Sequence, residues 1–334
     1  MEKLDSVGTH SEAVSEVAEQ TAPALPVPPK EKKKKTGLSM EKKDLIFVLL
    51  MLVWPVLQFG IFYIGVNLNS FALAFEEIDV LTGSVSFTLD NFRRVFSMLI
   101  SDGLLHMMGM SLLNWAVSLV AGTTLGLLFS YYIYKKFPLS GFFRVILFMP
   151  SVISAIVMII MFRFFVEQAI PDMANTWFGS QMTGLIENPD TRLGIILFYG
   201  VWVSFGTSVL MYSNKMATID PEIVEAAHLD GATGFKEFWH VTMPMVYPTL
   251  SVFLVTGVAG IFSNQMNLYS FYGGQAPEEL QTLGYYLYMS TRRASSDSQY
   301  PIIAAIGFLL SLVAVPVTLL VRYLLGKYGP SEDR

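Results

Sequence analysis

The chain has 334 residues, of which 53% are hydrophobic and only 15% charged, with a mean hydropathy of +0.49 and a formal net charge of −5 at pH 7. In soluble domains about a quarter of the residues are charged. The lower charged fraction of this chain therefore argues against a soluble protein and indicates one that crosses a membrane several times. The chain contains no cysteine, which excludes disulfides, thiolate catalysis and zinc–thiolate sites.

The N-terminal segment, residues 1–43, is polar and carries a lysine-rich stretch from Lys30 to Lys35. A secretory signal has an apolar core directly after a short basic stretch, and this segment does not. It is too polar to bury a core, so we expect it to be disordered. Its lysines are expected to lie near the anionic lipids of the cytoplasmic leaflet. The alternative is a solvated tail with no specific partner.

Six apolar stretches follow, each close to the length of about 20 residues that a membrane-spanning helix requires. They lie at Leu45–Val66, Met107–Tyr131, Phe143–Val166, Leu193–Met211, Met245–Phe262 and Ile302–Leu325. The sequence therefore predicts an all-α membrane protein with a membrane domain over residues 44–326. A short cytoplasmic tail is expected at residues 327–334.

The placement of lysine and arginine predicts the orientation of these spans, because cytoplasmic loops carry an excess of both. Basic residues follow the second span, precede the third and end the sixth, at Lys135, Lys136, Arg144, Arg322 and Lys327. Together with the lysine-rich tail, these regions alternate as they must to share one side of the membrane. We therefore expect both termini to lie in the cytoplasm.

A polar segment separates the fourth predicted span from the fifth. Asp220, followed by a proline, is typical of a helix start, because the aspartate accepts from free main-chain N–H groups and proline fits the first helical position. Gly231 suits the left-handed residue that ends a helix. Thr233 is expected to cap a second short helix, Phe235–His240, which Pro244 would end.

The same segment carries Glu225-Ala226-Ala227, then Gly231, and, after nine further residues, Val241-Thr242-Met243-Pro244. This pattern resembles the EAA loop of the permease subunits of ABC importers, which is Glu-Ala-Ala, three residues, Gly, nine residues and Ile-x-Leu-Pro. In that family the loop docks on the ATP-hydrolysing subunit. The resemblance implies a coupling loop at residues 214–245 whose key residues are Glu225, Ala226, Ala227, Asp230, Gly231 and Pro244. The alternative is an amphipathic connector at the membrane surface that has no partner.

The resemblance extends over residues 45–325. Phe143-Arg144 with Pro150 is similar to the start of the third span in sugar-importer permeases, and Trp202 stands where those proteins often have tryptophan. The segment from Tyr272 to Pro277 loosely resembles their Gly-Gly-Pro segment. These matches indicate the carbohydrate-uptake branch. The chain departs from the family at Met110-Ser111, where an Asn-Thr pair is common.

The resemblance also implies a fold, a mechanism and partners. The fold would be that of a type I ABC importer permease in a bacterial cell membrane, carrying an oligosaccharide or related carbohydrate by alternating access. The partners would be a second permease subunit, an ATPase subunit dimer and an extracytoplasmic solute-binding protein, with membrane lipids around them and no nucleic acid. ATP and Mg²⁺ would be used by the ATPase, and this chain would bind no cofactor.

The residues themselves agree with a transport subunit that is not an enzyme. The sequence contains no Gly-x-x-x-x-Gly-Lys-Ser/Thr loop to hold a nucleotide, no nucleophile elbow and no His-Glu-x-x-His motif. We therefore expect no catalytic residues and no metal site. ATP hydrolysis would belong to another polypeptide.

Polar side chains within the predicted spans are the candidates for a substrate path, because such residues usually face the protein interior or a cavity. A sugar requires hydroxyl and amide partners together with an aromatic face. The candidates on the third to fifth spans are Ser151, Trp202, Ser204, Thr207, Gly260, Ser263, Asn264 and Asn267. The alternative is that these residues only pack neighbouring helices together.

Other functions remain as alternatives. The coupling loop does not distinguish a sugar importer from an importer of another solute, such as glycerol phosphate or a peptide. A self-contained secondary transporter would require ionisable residues near the middle of a span, and none is convincingly placed. A membrane enzyme would require a catalytic constellation, which the sequence lacks.

Overall fold

The structure, a computed structural model, describes residues 42–79, 82–101 and 103–330. This part of the chain is mostly helical, which confirms the predicted all-α class. Five of its helices are long and apolar enough to cross a membrane: Asp44–Leu73, Leu104–Tyr134, Pro189–Met216, Phe235–Ala259 and Asp297–Tyr328. A bent pair, Ser140–Val152 with Ala155–Phe178, makes a sixth crossing if it is counted as one span. The predicted disordered tail falls almost entirely outside the described residues.

The chain divides into two compact units after Gly60. The described part of the first unit contains the helix Lys42–Gln58, whose apolar side chains suit a lipid environment. In the second unit, the helix Val66–Leu73 leads into a small hairpin of two antiparallel strands, Glu76–Ile78 and Val85–Phe87. The sequence did not predict this hairpin.

An amphipathic helix, Asp90–Ser101, follows the hairpin and packs on the last long helix. Its Phe92 and Val95 contact a cluster that contains Ala305 and Ile306. The side-chain amide of Asn91 is buried and donates to the main-chain oxygens of Ala74 and Glu76, at 3.2 and 2.8 Å. These contacts hold the hairpin and the helix together as one unit beside the sixth span.

The second and fourth spans, Leu104–Tyr134 and Pro189–Met216, form a central pair. Small residues bring their main chains close, as is usual between helices in membranes. A Cβ added at Gly126 would already touch the Tyr212 ring at 3.4 Å. Below this contact, Leu127, Tyr212 and Met216 form one buried cluster with Val246 and Leu250 of the fifth span.

The third predicted span, Phe143–Val166, is wrong as a continuous helix. The structure has two helices instead, Ser140–Val152 and Ala155–Phe164, the second prolonged by a π-helical turn and the helix Ile170–Phe178. The two halves meet at an angle of 109°. Ile153 and Ser154 at the break have extended main chains, with ψ of 144° and 131°.

Local chemistry explains why the helix ends there. Pro150 has no N–H to donate to the preceding turn, which weakens the last turn of the helix. The hydroxyl of Ser151 donates to the Phe148 carbonyl at 2.7 Å and so engages a main-chain acceptor in that turn. The β-branched Val152 and Ile153 that follow favour extended conformations.

The polar segment after the fourth span contains the helix Pro221–Leu229, which we call the loop helix. The second short helix was predicted to stop at Pro244, and this is wrong. Instead, Phe235–Glu237 continues through the π-helical segment Phe238–Thr242 directly into the fifth span. The wide π turn lies just before Pro244. The proline lacks an N–H and has a bulky ring, both of which would disturb a regular α-helix at this point. The helix that contains the fifth span therefore begins at Phe235, almost three helical turns before the predicted start at Met245.

Candidate functional site

A cavity of about 300 Å³ lies between the second, fourth and fifth spans. Three of the eight residues predicted for a substrate path line it, namely Ser204, Gly260 and Asn264. Ser208 and Tyr212 of the fourth span and Phe253 and Thr256 of the fifth also line it. A contact of any of these residues with a substrate stays a prediction.

The second span forms the wall that sequence reasoning missed. Asn114, Ser118 and Gly122 recur every four residues along this helix, and Trp115 and Thr123 lie beside them. Residues four apart share one face of a helix, so this stripe of polar and small residues was a readable signal. The substrate path was predicted on the third to fifth spans only, which left this face of the second span out.

Trp115 presents a hydrogen-bond donor to this region without a partner. Its indole Nε1 is buried and finds no hydrogen-bond acceptor among the described residues. A Cβ added at Gly257, which also lines the cavity, would lie 3.8 Å from this nitrogen. A buried N–H without an acceptor costs free energy, and an acceptor atom of a bound solute would remove that cost.

The cavity combines aromatic surfaces with uncharged polar groups. The rings of Tyr212 and Phe253 meet edge to face, with centroids 5.2 Å apart. The hydroxyl of Thr256 donates to the Val252 carbonyl at 2.8 Å and keeps its lone pairs as acceptors. None of the described residues that line the cavity is charged.

The other five predicted path residues lie away from this cavity. Trp202 packs in an aromatic cluster, 5.9 Å from the ring of Phe162 and 6.3 Å from that of Tyr199. Ser151 belongs to the turn that ends the third span's first half. The remaining three are exposed and do not line the cavity: Thr207, Ser263 and Asn267. Their part in a substrate path stays a prediction.

The loop helix begins and ends as the sequence predicted. The Asp220 side chain accepts a hydrogen bond from the main-chain N–H of Glu222 at 3.0 Å. At the other end, Gly231 has a φ of +79° and the N–H of Ala232 donates to the Ala227 carbonyl at 2.9 Å. Thr233, however, does not cap the next helix, because Gly234 occupies the capping position with a φ of +57°.

The six residues predicted for ATPase coupling differ in their exposure. Glu225 and Ala226 are exposed on the loop helix, and Ala227 is half-buried. Asp230 and Gly231 form its exposed C-terminal turn, whereas Pro244 is half-buried in the fifth span. Val224 is buried on the opposite side, where it packs in the cluster beneath the second, fourth and fifth spans.

The segment from Tyr272 to Pro277 is held by phenol hydroxyls. Tyr285 donates to the Gly273 carbonyl at 2.9 Å and accepts from the N–H of Ala276 at 3.2 Å. Tyr272 donates to the Ile186 carbonyl at 3.1 Å, and burial raises the pKa of its phenol. Both tyrosines therefore have structural roles in this segment.

Comparison with known proteins identifies the family. Residues 122–328 match the binding-protein-dependent transport system inner membrane component family. The chain belongs to this family. It is therefore a multi-pass membrane component of a transport system that works with a binding protein, and a transport subunit by family.

Relatives of this inner membrane component are permease proteins. The arabinooligosaccharides transport system permease protein AraP of Bacillus subtilis is 26% identical over 279 residues, which cover 82% of this chain and 86% of AraP. The multiple sugar-binding transport system permease protein MsmF of Streptococcus mutans is 23% identical over 280 residues, covering 83% of this chain and 90% of MsmF.

A solved structure confirms the fold of this inner membrane component. It is the crystal structure of a bacterial ABC transporter involved in the import of the acidic polysaccharide alginate. One of its chains matches with a TM-score of 0.71 and 20% identity, over 86% of this chain and 97% of that chain. The predicted ABC importer permease fold is thus confirmed.

Proposed function

We propose that this chain is a permease subunit of an ATP-driven ABC importer that moves a neutral oligosaccharide or related carbohydrate by alternating access. The observation that carries the proposal is the cavity between the second, fourth and fifth spans, which offers hydroxyls, amides, aromatic rings and the unpartnered N–H of Trp115. These are the groups that bind the hydroxyls and the apolar faces of sugar rings. The names of AraP and MsmF, which refer to arabinooligosaccharides and multiple sugars, support the same substrate class.

The charge of the cavity supports a neutral substrate. A phosphate or carboxylate removed from water requires a cation or several strong donors to offset its desolvation. No lysine or arginine is among the described residues that line the cavity. We therefore expect weak transport of glycerol phosphate, of peptides with charged termini and of acidic sugars. In this respect the chain would differ from the alginate importer whose fold it shares.

We further propose that the loop helix docks on an ATPase subunit. Its exposed Glu225 offers a carboxylate to a cation, and exposed Ala226 permits close approach of another surface. Apolar side chains beside them are also exposed: Leu229 is 90% and Phe235 72% exposed. Exposed apolar groups around a charged centre are typical of a protein interaction site.

The proposal includes the remaining partners and the orientation. A second permease subunit would form the other half of the transport path, and the solute-binding protein would deliver the sugar from outside. The loop helix and both termini would lie in the cytoplasm. Lys135, Lys136 and Arg144, at the end of the second span and the start of the third, lie close to the loop helix, and basic residues are enriched in cytoplasmic loops. No cofactor would be bound by this chain, and ATP and Mg²⁺ would be used by the ATPase.

Reconstitution tests this function. The chain would be purified with its ATPase, second permease and binding protein, inserted into proteoliposomes and supplied with ATP. We expect ATP-dependent accumulation of a neutral oligosaccharide, and at most weak accumulation of glycerol phosphate or of a dipeptide. Accumulation of either charged solute in place of the sugar would overturn the substrate assignment.

The same proteoliposomes also test the alternative that the chain is a secondary transporter driven by an ion gradient. If the chain alone, without the ATPase, accumulated sugar when only a proton or sodium gradient was imposed, the importer assignment would be wrong. Membership of the binding-protein-dependent family argues against that result. The expected result is no uptake unless both ATP and the binding protein are present.

A further inference from the structure

The carboxylate of Glu237 is buried at a junction of three helices. Its side chain is only 1% exposed. One oxygen, Oε1, lies 2.6 Å from Nζ of Lys135, and the other, Oε2, lies 2.8 Å from Nε2 of His228. Lys135 caps the end of the second span, His228 stands in the last turn of the loop helix, and Glu237 lies in the first turn of the helix that becomes the fifth span.

Burial makes these two contacts obligatory. A carboxylate taken out of water is costly unless ion pairs and hydrogen bonds replace its hydration, and loss of one partner leaves a poorly compensated buried charge. Because one oxygen is held by Lys135 and the other by His228, the loop helix cannot move away from the second span without exposing or unpairing Glu237. The carboxylate therefore favours movement of the three elements as one body.

Neighbouring contacts strengthen the same junction. The hydroxyl of Tyr131 donates to the Gly234 carbonyl at 3.0 Å, and its ring lies 5.0 Å from that of Phe238. The ammonium group of Lys135 also lies 5.9 Å from the centre of the Tyr131 ring. None of these contacts uses Glu225 or Ala226, so the exposed side of the loop helix stays available to a partner.

The second span connects this junction to the cavity. Lys135 directly follows the helix whose Asn114, Ser118 and Gly122 line the cavity. A helix transmits displacement along its axis because its main-chain hydrogen bonds keep it stiff. A movement of the loop helix would thus reach the cavity through Glu237, Lys135 and the second span.

We propose that Glu237 is a positioning residue that transmits motion of the loop helix to the second span and so couples ATP hydrolysis to transport. This proposal rests on the proposed function, since it requires that an ATPase acts on the loop helix. Glu237 contacts neither the cavity nor the exposed side of the loop helix. Loss of the Glu237 carboxylate should therefore change the number of sugar molecules moved per ATP hydrolysed. It should not change the affinity of the cavity for sugar or that of the ATPase for ATP.

The test is a coupling ratio measured in proteoliposomes that contain the complete importer. Uptake and ATP hydrolysis would be recorded in the same vesicles for the wild type and for Glu237→Gln. We expect the ratio of uptake to hydrolysis to fall by about fivefold or more, with the KM for sugar unchanged. The exchange of the two charges in the double variant Lys135→Glu with Glu237→Lys should restore part of the ratio. Arg322→Gln is the control, because it removes an exposed cation on the sixth span, outside the junction of Glu237, Lys135 and His228.

His228→Ala keeps the test decisive if Glu237→Gln does not assemble. His228 is partly exposed, and Glu237 keeps its ion pair with Lys135 when His228 is replaced, so this variant should assemble more readily than Glu237→Gln and should lower the ratio in the same direction. A wild-type ratio in Glu237→Gln, or in His228→Ala when only that variant assembles, would overturn the proposal. A failure of the proposed function would look different, since wild-type vesicles would then show no ATP-dependent sugar uptake at all.

Discussion

The hydroxyl of Ser130 shares its single proton between the main-chain carbonyl of Val209, 3.0 Å away across the second and fourth spans, and that of Gly126 in its own helix, at 2.5 Å. Ser130 and Val209 are both buried where the two spans cross. An interhelical hydrogen bond of this kind contributes about 0.6 kcal/mol in a membrane protein. The same site has no room for a larger side chain, since Ser130 is fully buried.

Ser130→Ala should therefore lower stability only slightly, whereas Ser130→Leu should cost about 1–3 kcal/mol through overpacking. The measurement is the thermal unfolding midpoint of the purified protein in detergent. Ser311→Leu serves as control, because Ser311 is exposed on the sixth span and should tolerate leucine. Equal midpoints for Ser130→Leu and the wild type would contradict the close packing of these helices.

Gly206 allows the fourth span to approach the first half of the broken third span. A Cβ at this position would lie 1.9 Å from the main-chain oxygen of Leu147, a contact that no side-chain rotation can relieve. Gly206→Ala should therefore separate the helices and lower the unfolding midpoint or the yield of folded protein. Gly200→Ala is the control on the same helix, since nothing lies within 4 Å of its added Cβ. A Gly206→Ala protein as stable as Gly200→Ala would show that the two helices are not so close.

Trp115 and Trp202 give opposite expectations for sugar binding. Trp115→Phe keeps an aromatic ring but removes the N–H, and loss of one neutral hydrogen bond costs about 0.5–1.5 kcal/mol. That free energy corresponds to a rise of about 2- to 10-fold in the KM for uptake. Trp202→Phe should leave KM near the wild-type value, because Trp202 packs away from the cavity. The reverse pattern in an uptake assay would favour contact of the sugar with Trp202 rather than with Trp115.

Gly231 ends the loop helix in a left-handed conformation, with nothing within 4 Å of an added Cβ. A bulky residue there would meet strain in its own main chain, which costs about 1–2 kcal/mol. We expect Gly231→Val to abolish uptake and substrate-stimulated ATP hydrolysis while membrane insertion is retained. Gly231→Asn should keep most of both activities, because asparagine tolerates this conformation. Normal uptake by the valine variant would contradict a coupling role for this turn.

The absence of cysteine makes the orientation directly measurable. Single cysteines would replace Thr183, which is exposed between the bent helix pair and the fourth span, and Thr218, which is exposed just before the loop helix. In sealed right-side-out vesicles, a membrane-impermeant maleimide should label Thr183→Cys at once. It should label Thr218→Cys only after the vesicles are permeabilised. The opposite labelling would place the loop helix outside the cell.

Long-range packing explains where sequence reasoning failed. The third span was predicted as one continuous helix, but it breaks at Ile153 and Ser154, and its first half approaches the fourth span closely at Leu147 and Gly206, more than fifty residues apart in the chain. Pro244 indicated a helix end, but the π-helical turn before it lets the helix continue. The end at Pro244 was predicted from the chemistry of proline alone, whereas the neighbouring residues decided the outcome.

For the substrate path, too, the sequence indicated candidate residues and the packing of the helices decided which of them line the cavity. Polar residues in apolar spans could be recognised from the sequence, yet only Ser204, Gly260 and Asn264 of those selected line the cavity. Which face of each helix points inward depends on how the second, fourth and fifth spans pack. For that reason the stripe from Asn114 to Thr123 became meaningful only in the folded chain.

The sequence by itself determined the membrane class, the position of most spans and the two ends of the loop helix. Long apolar runs must avoid water wherever they lie, and the caps at Asp220 and Gly231 are made by residues next to them in the chain. Only the tertiary structure decided that Glu237 is buried between Lys135 and His228. A charged residue in a polar loop is ordinarily exposed. The burial of Glu237 depends on Lys135, about a hundred residues upstream, and on His228, nine residues upstream across a turn, and no local pattern specifies these partners.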